Sequence, residues 1–398
     1  MTIAAARAFF PGTIDRAFLD AASVGLMPTQ AEDALRQLAH DLVHVPARNT
    51  GEHHLALAQS AGSARREIAR LLGARSADIA LVESTTHGLE ILAAAIPLQH
   101  GDKVLVGATE YLGLAVPWLP KQAADGIVVE VIPSRGGRLL VEDFAAAIDG
   151  RTRLILLSSV QWNNGFRCDL PAFSDLGRTR NVLLLVDTIQ QLGAIAFDVQ
   201  RTPVDFVVNG GHKWLNAPAG RGFLYINPNS LDRLRPPPRG YLNIETPAEG
   251  WAAYFATPSI PAVRDYTFVH GARACEVGGF SNNPGNVVLA ASLALLNELG
   301  PDAIEQHILR LTDLLLDKLR QAGATVVTPP ERACRSGIIT FSLGDGPERD
   351  RAFMHRLWDQ RILLSQRYTA GIGGLRASVH LFNNEDDVNR LAEAIAAR

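Results

Sequence analysis

The sequence predicts an α/β protein with a mainly parallel sheet covered by helices, followed by a smaller α+β unit. Short apolar runs alternate with helical patterns between about residues 79 and 226. Several runs, such as VLLLV at 182–186, are apolar on both faces, as expected of buried parallel strands. The chain of 398 residues is 47% hydrophobic, so it can bury a large core. Such alternation is typical of a sheet with helices on both sides.

The amino-terminal part predicts an arm followed by two helices. Residues 18–28 (FLDAASVGLMP) indicate a short extended segment that ends in a turn. A helix with Thr29 as its N-cap follows, and the apolar repeat at 57–72 indicates a second helix that ends at a glycine. His40 and His44 have a spacing that could hold a metal, but no third ligand is evident, so we interpret them as surface side chains and predict no metal site.

The rest of the chain divides into a long alternating stretch and a smaller unit. Strands are predicted at 79–82, 103–106, 127–132, 154–157, 182–186, 204–208 and 222–226, and helices at 86–96, 115–122, 141–148 and from about 170. After a proline-rich segment at 235–262, helices are predicted at 286–299, 303–322, 349–360 and from 385, and strands at 325–327, 337–342, 362–364 and 375–381. We therefore predict an arm (1–28), a large domain (29–284) whose first helices pack with the small domain, and a small domain (285–398).

The composition argues against several classes of function. A net charge of −3 and a pI near 6.4 indicate no basic surface for nucleic acid or for an anionic membrane. No apolar run approaches the roughly 20 residues of a spanning helix, and the first residues are too weakly basic for a secretory signal, so we expect a cytoplasmic protein. Cys168, Cys275 and Cys334 are scattered without CxxC spacing, which argues against a disulfide framework or a zinc ribbon.

Two side chains stand at predicted strand ends, where ligands bind in open α/β sheets. Lys213 follows the apolar run VDFVVN and two glycines and precedes Trp214. An apolar pocket disfavours the charged form of lysine, which makes the amine available as a nucleophile toward carbonyls or as a base. Asp187 ends the run VLLLVD, 26 positions earlier. The sequence therefore predicts a site that combines an amine with an acid.

A third candidate is the segment 83–88 (ESTTHG), between a strand and a helix. Its hydroxyls and the free N–H groups of the helix could receive a phosphate, although Ser and Thr are also ordinary helix caps. A lysine, a strand-end acid and a phosphate cradle together are what pyridoxal phosphate requires. Sequence motifs for phosphate loops, dinucleotide turns, nucleophile elbows and H-E-x-x-H zinc sites are absent.

The segment 186–226 (VDTIQQLGAIAFDVQRTPVDFVVNGGHKWLNAPAGRGFLYI) resembles the core of the class V aminotransferases. This pyridoxal-phosphate group of fold type I includes cysteine desulfurases, selenocysteine lyase, kynureninase and isopenicillin N epimerase-like proteins. The similarity extends from about Phe18 through RASVHLFNNEDDV, and so covers nearly the whole chain. It implies a seven-stranded type of sheet, pyridoxal phosphate as cofactor, an amino acid as substrate, and a homodimer with active sites shared between subunits.

The resemblance also implies a role for individual residues. Lys213 would bind the cofactor aldehyde and later move the α-proton, Asp187 would pair with the pyridine nitrogen, and Gln190 would hydrogen-bond the phenolic oxygen. Tyr111 would stack on the ring and take part in catalysis, and Arg376 would bind the substrate α-carboxylate. The phosphate would be bound by three further residues: Thr85, Thr86 and His212.

Several positions depart from the family pattern. Gly210 stands where many relatives have a serine, and residues 20–23 read D-A-A-S instead of D-N-A-A. Residues 276–282 match a segment through which the family's partner subunit reaches the phosphate. Phe280 stands there in place of a frequent threonine, so we expect Ser281 and Asn282 to make that contact.

The loop 161–165 (QWNNG) contains the remaining candidates for substrate binding. Trp162 aligns with an asparagine of the desulfurases, which leaves Asn163 or Asn164 as its substitute and makes Trp162 a candidate for the pocket lining. The aromatic side chains of 235–262 could form a pocket wall or lid; they are Tyr241, Trp251, Tyr254 and Phe255.

The stretch 361–374 (RILLSQRYTAGIGG) bears on which reactions of the family this chain can be expected to catalyse. Desulfurases and selenocysteine lyases carry a mobile cysteine in this region, and the present chain has none. We therefore do not expect persulfide transfer by that route. We expect a β-eliminating lyase or an aminotransferase that works through an external aldimine and α-proton abstraction. The alternatives are a desulfurase-type C–S lyase without a persulfide cysteine, an amino-acid epimerase and, more remotely, a cofactor-binding protein without turnover.

Overall fold

The strands of the described part of the chain form one large sheet and two small ones. The structure is a computed structural model that describes residues 1–235, 239–279, 282–344 and 346–398. Its strands are, in chain order, β1 (Ala17–Phe18), β2 (Ile79–Val82), β3 (Lys103–Gly107), β4 (Val128–Ile132), β5 (Thr152–Ser158), β6 (Leu183–Asp187), β7 (Phe206–Gly210), β8 (Gly222–Ile226), β9 (Thr325–Val326), β10 (Ile338–Ser342), β11 (Ile362–Leu363), β12 (Ser365–Thr369) and β13 (Ile372–Ser378).

Helices cover these sheets. They are α1 (Ile3–Ala6), α2 (Thr29–His44), α3 (Thr50–Leu72), α4 (Thr85–Ala95), α5 (Leu112–Ala115), α6 (Leu119–Asp125), α7 (Val141–Ala147), α8 (Leu170–Arg180), α9 (Gly250–Ala256), α10 (Asn283–Leu299), α11 (Pro301–Gln321), α12 (Pro347–Asp359) and α13 (Glu385–Ala396). Among the described residues no single helix is long and apolar enough to cross a membrane. Among the described helices, only α10 and α11 taken together have the length and apolar composition of a membrane span, and the two helices are bent by 78° at their junction.

The large sheet confirms the predicted α/β class. Its strand order is β2-β8-β7-β6-β5-β3-β4. Strand β8 is antiparallel to both of its neighbours, and the other pairs are parallel. The carboxyl ends of β2, β3, β5, β6 and β7 therefore lie at the same edge of the sheet. Ligands are expected at that edge.

Both faces of the large sheet are buried, because its strands are apolar at successive positions. In β6, Leu184 and Val186 belong to the core on one face, while Leu183 and Leu185 belong to the core on the other. Successive side chains of a strand point to opposite faces, so a continuous apolar run fills both cores. The first core also contains apolar residues of α3 and α10, and the second contains those of α4. Packing on both faces therefore holds the strands of the large sheet, and with them the residues at their carboxyl ends, in place.

The carboxyl-terminal unit has its own core. The sheet order is β12-β13-β10-β9, and β1 of the arm pairs with β11. Ala17 and Leu19 of the arm are buried in this core with residues of α11, α12 and α13. Helices α2 and α3 pack against α10. The division into residues 1–28, 29–284 and 285–398 stays a prediction.

Some element boundaries differ from those predicted. Thr29 is the first residue of α2, and Pro28 occupies the N-cap position. The single helix predicted at 115–122 is instead α5, a 3-10 turn and α6. Pro117 and Pro120 lie in the first turns of the last two elements. A proline inside a helix removes a backbone hydrogen bond, so each proline favours the start of a new element.

Strand β12 was not predicted. Its sequence, SQRYT, is polar and lacks the alternation of apolar residues that indicates a strand. The strand forms because it pairs antiparallel with β13 from Ser365 to Thr369. Tertiary pairing therefore overrides the local composition here.

Candidate active site

A cavity of about 330 Å³ opens at the carboxyl-end edge of the large sheet. Its lining includes residues at or just after the ends of four strands: Ser84, Ser158, Asp187 and Lys213. The arm contributes Ala22 and Ser23, and β12 and β13 contribute Arg367 and Arg376. The sheet, the arm and the carboxyl-terminal unit thus meet around one cavity.

The structure brings most of the predicted site residues to this cavity. They are Thr85, Thr86, Tyr111, Trp162, Asp187, Gln190, His212, Lys213 and Arg376. Asn164 does not line it, because its amide donates to the Gly137 carbonyl at 2.8 Å and its oxygen accepts from the Phe166 N–H at 3.0 Å. Asn163 likewise donates to the Ile372 carbonyl at 3.1 Å.

Lys213 lies in the loop after β7. Its Nζ is 5.8 Å from the centroid of the Tyr111 ring. Burial lowers the pKa of Lys213 to about 8; Asp187 opposes this shift, and the positive charges of Arg376 and Arg367 add to it. A pKa of about 8 leaves about a tenth of the amine neutral at pH 7, far more than for an ordinary lysine, and the neutral form is the one that acts as a nucleophile or base.

The loop around Lys213 is held on both sides. The Gly25 N–H of the arm donates to the His212 carbonyl at 2.8 Å, and the Asn216 N–H donates to the Lys213 carbonyl at 3.2 Å. The Trp214 indole, which is fully buried, donates to Gln190 Oε1 at 2.7 Å. The lysine is thus fixed through its neighbours, while its side chain projects to the cavity.

His380, which belongs to the carboxyl-terminal unit, also contacts the loop around Lys213. Its Nε2 lies 3.1 Å from the Trp214 carbonyl and 2.9 Å from Asn216 Oδ1. Burial lowers the pKa of His380 to about 3, so the imidazole is neutral and donates one hydrogen from Nε2. This contact joins the lysine loop to the segment that follows β13.

Asp187 closes the other side of the cavity. It is buried at the end of β6, and its Oδ1 accepts from the Ile189 N–H at 2.9 Å. Burial raises the pKa of Asp187 to about 6, while that hydrogen bond and Lys213 oppose the rise. A neighbouring cation favours the ionised form. Gln190 lines the same wall, and its Nε2 donates to the Ala22 carbonyl at 3.1 Å, which leaves one amide hydrogen for a ligand.

The amino-terminal end of α4 lies at one end of the cavity, where Ser84, Thr85 and Thr86 line it. Ser84 caps the helix, accepting from the His87 N–H at 3.0 Å. Thr85 Oγ1 is buried without a hydrogen-bond partner in the described residues. A Cβ at Gly210 would lie 3.0 Å from that oxygen, so a larger residue would crowd it. Helix N–H groups and an unpartnered hydroxyl suit a phosphate.

Tyr111 and Trp162 form an aromatic wall. Their rings meet edge to face with centroids 5.4 Å apart, and Tyr111 is 45% exposed. The Trp162 indole donates to the Thr109 carbonyl at 3.2 Å. Glu110 directly precedes Tyr111 in the chain and was not predicted as a site residue. Its carboxylate is buried and accepts from the Ser158 N–H and from Gln161, and burial raises its pKa to about 7.

Arg376 is the most deeply buried cation of the cavity, at 1% exposure. One guanidinium nitrogen donates to the Trp162 carbonyl at 2.7 Å, and the other donates to Ser23 Oγ at 2.8 Å. The nearest carboxylate oxygen is Asp20 Oδ1 at 3.6 Å. Arg376 Nε has no hydrogen-bond partner within the described part of the chain. Such a guanidinium is suited to bind a carboxylate ligand.

The remaining predicted residues lie elsewhere. Asn282 caps α10 and donates to the Gly220 carbonyl at 2.7 Å; with Trp251 it lines a separate cavity of about 260 Å³. Ser281 and Phe280 are outside the described residues. Tyr241, Tyr254 and Phe255 do not line the Lys213 cavity either. Within one chain, no residue of the described part of 235–262 lines that cavity, and a role of this segment as a wall or lid stays a prediction.

The sequence and the fold of the chain are similar to those of known proteins. Residues 17–391 match the family model described as aminotransferase class-V. The chain is 29% identical to isopenicillin N epimerase of Streptomyces clavuligerus, over 84% of this chain and 83% of that protein. It is 28% identical to a cysteine desulfurase of Salmonella gallinarum, over 95% and 92%. It is also similar in fold to a C-DES mutant solved with glycine covalently linked to its PLP cofactor, with a TM-score of 0.86, 24% identity and 98% of both chains covered.

The close approach of Gly25 to the lysine loop gives a first prediction. A Cβ at residue 25 would lie 1.9 Å from the Lys213 carbonyl oxygen, so Gly25→Ala must displace backbone. We expect a loss of about 1–3 kcal/mol in the free energy of unfolding, measured by urea denaturation. The control is Gly150→Ala, because a Cβ at Gly150 meets no heavy atom within 4 Å. Equal midpoints for the two variants would contradict the proposed crowding.

Proposed function

The chain belongs to the aminotransferase class-V family, and from this premise we propose that it removes the α-proton of an amino acid with Lys213. As a member of the family it is an enzyme that depends on pyridoxal phosphate. The observation that carries the proposal is the convergence of an amine of lowered pKa, a buried acid and a buried guanidinium whose Nε has no hydrogen-bond partner among the described residues on one cavity.

The residues of the cavity fit this cofactor. The unpartnered Thr85 hydroxyl and the N-terminus of α4 suit its phosphate, Lys213 its aldehyde and Asp187 its ring nitrogen. The remaining contacts that we propose come from Thr86, His212, Gln190 and Tyr111. When bound, the cofactor supplies an electron sink that stabilises negative charge at the substrate α-carbon.

Lys213 is the proposed carrier of the α-proton. Proton transfer is most efficient when the pKa of the base lies near the working pH, and burial brings the pKa of Lys213 to about 8. The contacts of Gly25 and Asn216 hold the loop carbonyls and leave the amine directed to the cavity. Lys213 can therefore take a proton and return it without movement of the backbone.

Asp187 is proposed to hold a cation opposite Lys213. Burial, opposed by the Ile189 N–H and by Lys213, raises the pKa of this carboxyl to about 6. A protonated ring nitrogen beside it would lower that pKa again, because an opposite charge favours the carboxylate. The Ile189 N–H keeps the carboxylate oriented.

Arg376 is proposed to bind the substrate α-carboxylate. A buried cation is costly unless it is well paired, and the nearest described carboxylate, that of Asp20, stays 3.6 Å from Arg376, beyond hydrogen-bonding distance. A substrate carboxylate would supply a closer partner. The Trp162 carbonyl and Ser23 hold the two terminal nitrogens in place. The binding energy of the carboxylate is thereby used to orient the α-carbon toward Lys213.

For the reaction itself we propose β-elimination or transamination. None of the three cysteines lines the cavity: Cys168 and Cys275 are buried, and Cys334 is half-buried. A sulfur carrier on the protein is therefore not part of the proposal. Release of free sulfide from cysteine, and epimerisation, remain the alternatives, since relatives are named cysteine desulfurase and isopenicillin N epimerase.

We also propose a homodimer that completes the active site. Asn282 lies outside the Lys213 cavity of its own chain. Val277 lines the same separate cavity as Asn282 and is 50% exposed, and Phe255, which stacks on Trp251 of that cavity, is 70% exposed. Exposed large apolar side chains are typical of interaction surfaces. A second subunit on this surface could bring Asn282 to the phosphate of its partner.

The assignment of Lys213 predicts a spectroscopic result. The purified protein is expected to show a visible absorption band that disappears on borohydride reduction, with the cofactor then fixed to Lys213. Lys213→Ala should lose the covalent attachment, while Lys318→Ala on α11 should keep it. Mass spectrometry of the reduced protein checks both. A Lys213→Ala protein that still fixes the cofactor on reduction would refute the assignment.

The pKa of Lys213 predicts the pH dependence of cofactor uptake. Only the neutral amine attacks an aldehyde, so the rate at which the cofactor-free protein takes up pyridoxal phosphate should rise with pH, with a midpoint near 8. An ordinary lysine would give a midpoint at about 10.4. Asp187→Asn removes a charge that raises this pKa, so its midpoint should be lower. A midpoint near that of a free lysine would exclude the buried amine as the nucleophile.

The two proposed reactions predict different products. With an amino acid that carries a β-leaving group, β-elimination yields ammonia and a keto acid without any added acceptor. Transamination turns over only when a keto-acid acceptor is supplied, and it converts that acceptor into an amino acid. Quantifying ammonia with and without acceptor separates the two. Inversion of the α-carbon without either product would favour the epimerase alternative.

A further inference from the structure

A second arginine faces the active-site cavity. Arg367 lies on β12 and Arg376 on β13, and both line the cavity. In the register of this pair, Arg367 is opposite Gly374, and Ser365 is opposite Arg376. Side chains two apart on a strand share a face, so the two arginines project from the same side of the hairpin. Because Gly374 has no side chain, the residue paired with Arg367 on β13 does not shield the Arg367 side chain.

The two guanidinium groups meet at one hydroxyl. Ser23 Oγ accepts from Arg376 at 2.8 Å and from Arg367 at 3.2 Å, and it donates to Asp20 Oδ1 at 2.9 Å. Two accepted bonds and one donated bond use the full capacity of a serine hydroxyl. Arg367 also donates to the Gln366 carbonyl at 2.8 Å. Within the described residues, neither arginine has a carboxylate at hydrogen-bonding distance.

The arginines differ in depth. Arg376 is 1% exposed, whereas Arg367 is only partly buried. Ser23 lies between them, so the line from Arg376 through Ser23 to Arg367 leads from the interior of the cavity outward. Arg367 is therefore the cation next to Arg376 on the outer side of the cavity, within reach of a ligand bound at Arg376.

The charges of the cavity are unbalanced. Its described lining contains the cationic side chains of Lys213, Arg367 and Arg376, and Asp187 as the acidic one. In the proposed function, Asp187 pairs with the cofactor and Arg376 with the α-carboxylate. Asp20 lies outside this lining, 3.6 Å from Arg376, and is joined to Arg367 through Ser23. No acidic side chain of the described lining is then left to pair with Arg367.

We propose that Arg367 binds an anionic group on the substrate side chain, so that the substrate is an amino acid with a second carboxylate or a comparable oxyanion. This inference rests on the proposed function and adds the substrate class. A planar guanidinium binds a carboxylate through two parallel hydrogen bonds. It also rejects a neutral isostere, which would leave its charge unpaired.

The test compares acids with their amides on the holoenzyme. Aspartate, asparagine, glutamate and glutamine are titrated separately, and the half-saturating concentration is read from the change in absorbance of the bound cofactor. Wild-type protein should bind the acids more tightly than the amides. Arg367→Gln should weaken the binding of the acids by about tenfold or more and leave the amides nearly unchanged, because a charge-assisted hydrogen bond is lost.

Two further variants separate this role from others. Arg376→Lys should weaken all four ligands, since each has an α-carboxylate. Arg180→Gln, an exposed arginine in the last turn of α8, should change none. If Arg367→Gln weakens acids and amides equally, or changes neither, or if wild-type protein does not prefer acids, the second anion site is excluded. If no amino acid perturbs the cofactor spectrum of wild-type protein while the cofactor is bound, the proposed function fails, and this inference fails with it.

Discussion

Three cationic side chains, Lys213, Arg367 and Arg376, face one cavity, and the fold must hold them together against their mutual repulsion. No single element could do this. The lysine follows a strand of the large sheet, and the arginines lie on a hairpin of the carboxyl-terminal unit. The arm supplies what lies between them: Ser23 accepts from both arginines, and Asp20 accepts from Ser23 and is the carboxylate nearest to Arg376. The short polar stretch of the arm is therefore a structural part of the active site.

In the proposed function, this arrangement would couple the charge of the substrate to the basicity of the lysine. Burial lowers the pKa of Lys213, and the two arginines lower it further. The low pKa of the empty site suits Lys213 as the nucleophile that takes up the cofactor aldehyde. An anion bound at Arg376 would neutralise part of the positive charge and raise the pKa of Lys213 relative to the empty site. When the lysine is free again and the substrate carboxylate is bound, it would therefore be a stronger base, which is when an α-proton has to be removed.

The sequence predicts the parts of this site that follow from local pattern. Apolar runs that end in Asp187 or lead to Lys213 define strand ends, and strand ends of a parallel sheet share an edge. The bond between Ser23 and Arg367 joins residues separated by 344 positions, and no local pattern reveals it. Strand β12 is polar and forms through its partner strand, so neither it nor the orientation of Arg367 could be predicted. Asn164 was misplaced for a similar reason, because its amide satisfies the backbone of a neighbouring loop.

The hairpin of β12 and β13 also bears on the reaction. The stretch 361–374 has no cysteine, and it carries Arg367 at the cavity. A thiolate there could attack a substituent on the substrate, whereas a guanidinium donates hydrogen bonds and has no lone pair available for attack. A group lost from the β-carbon would therefore leave without being captured by the protein at this position. The proposed role of Arg367 agrees with this absence of a thiolate: a cation at this position would select which substrate side chains bind, and the chemistry at the α-carbon would stay with Lys213.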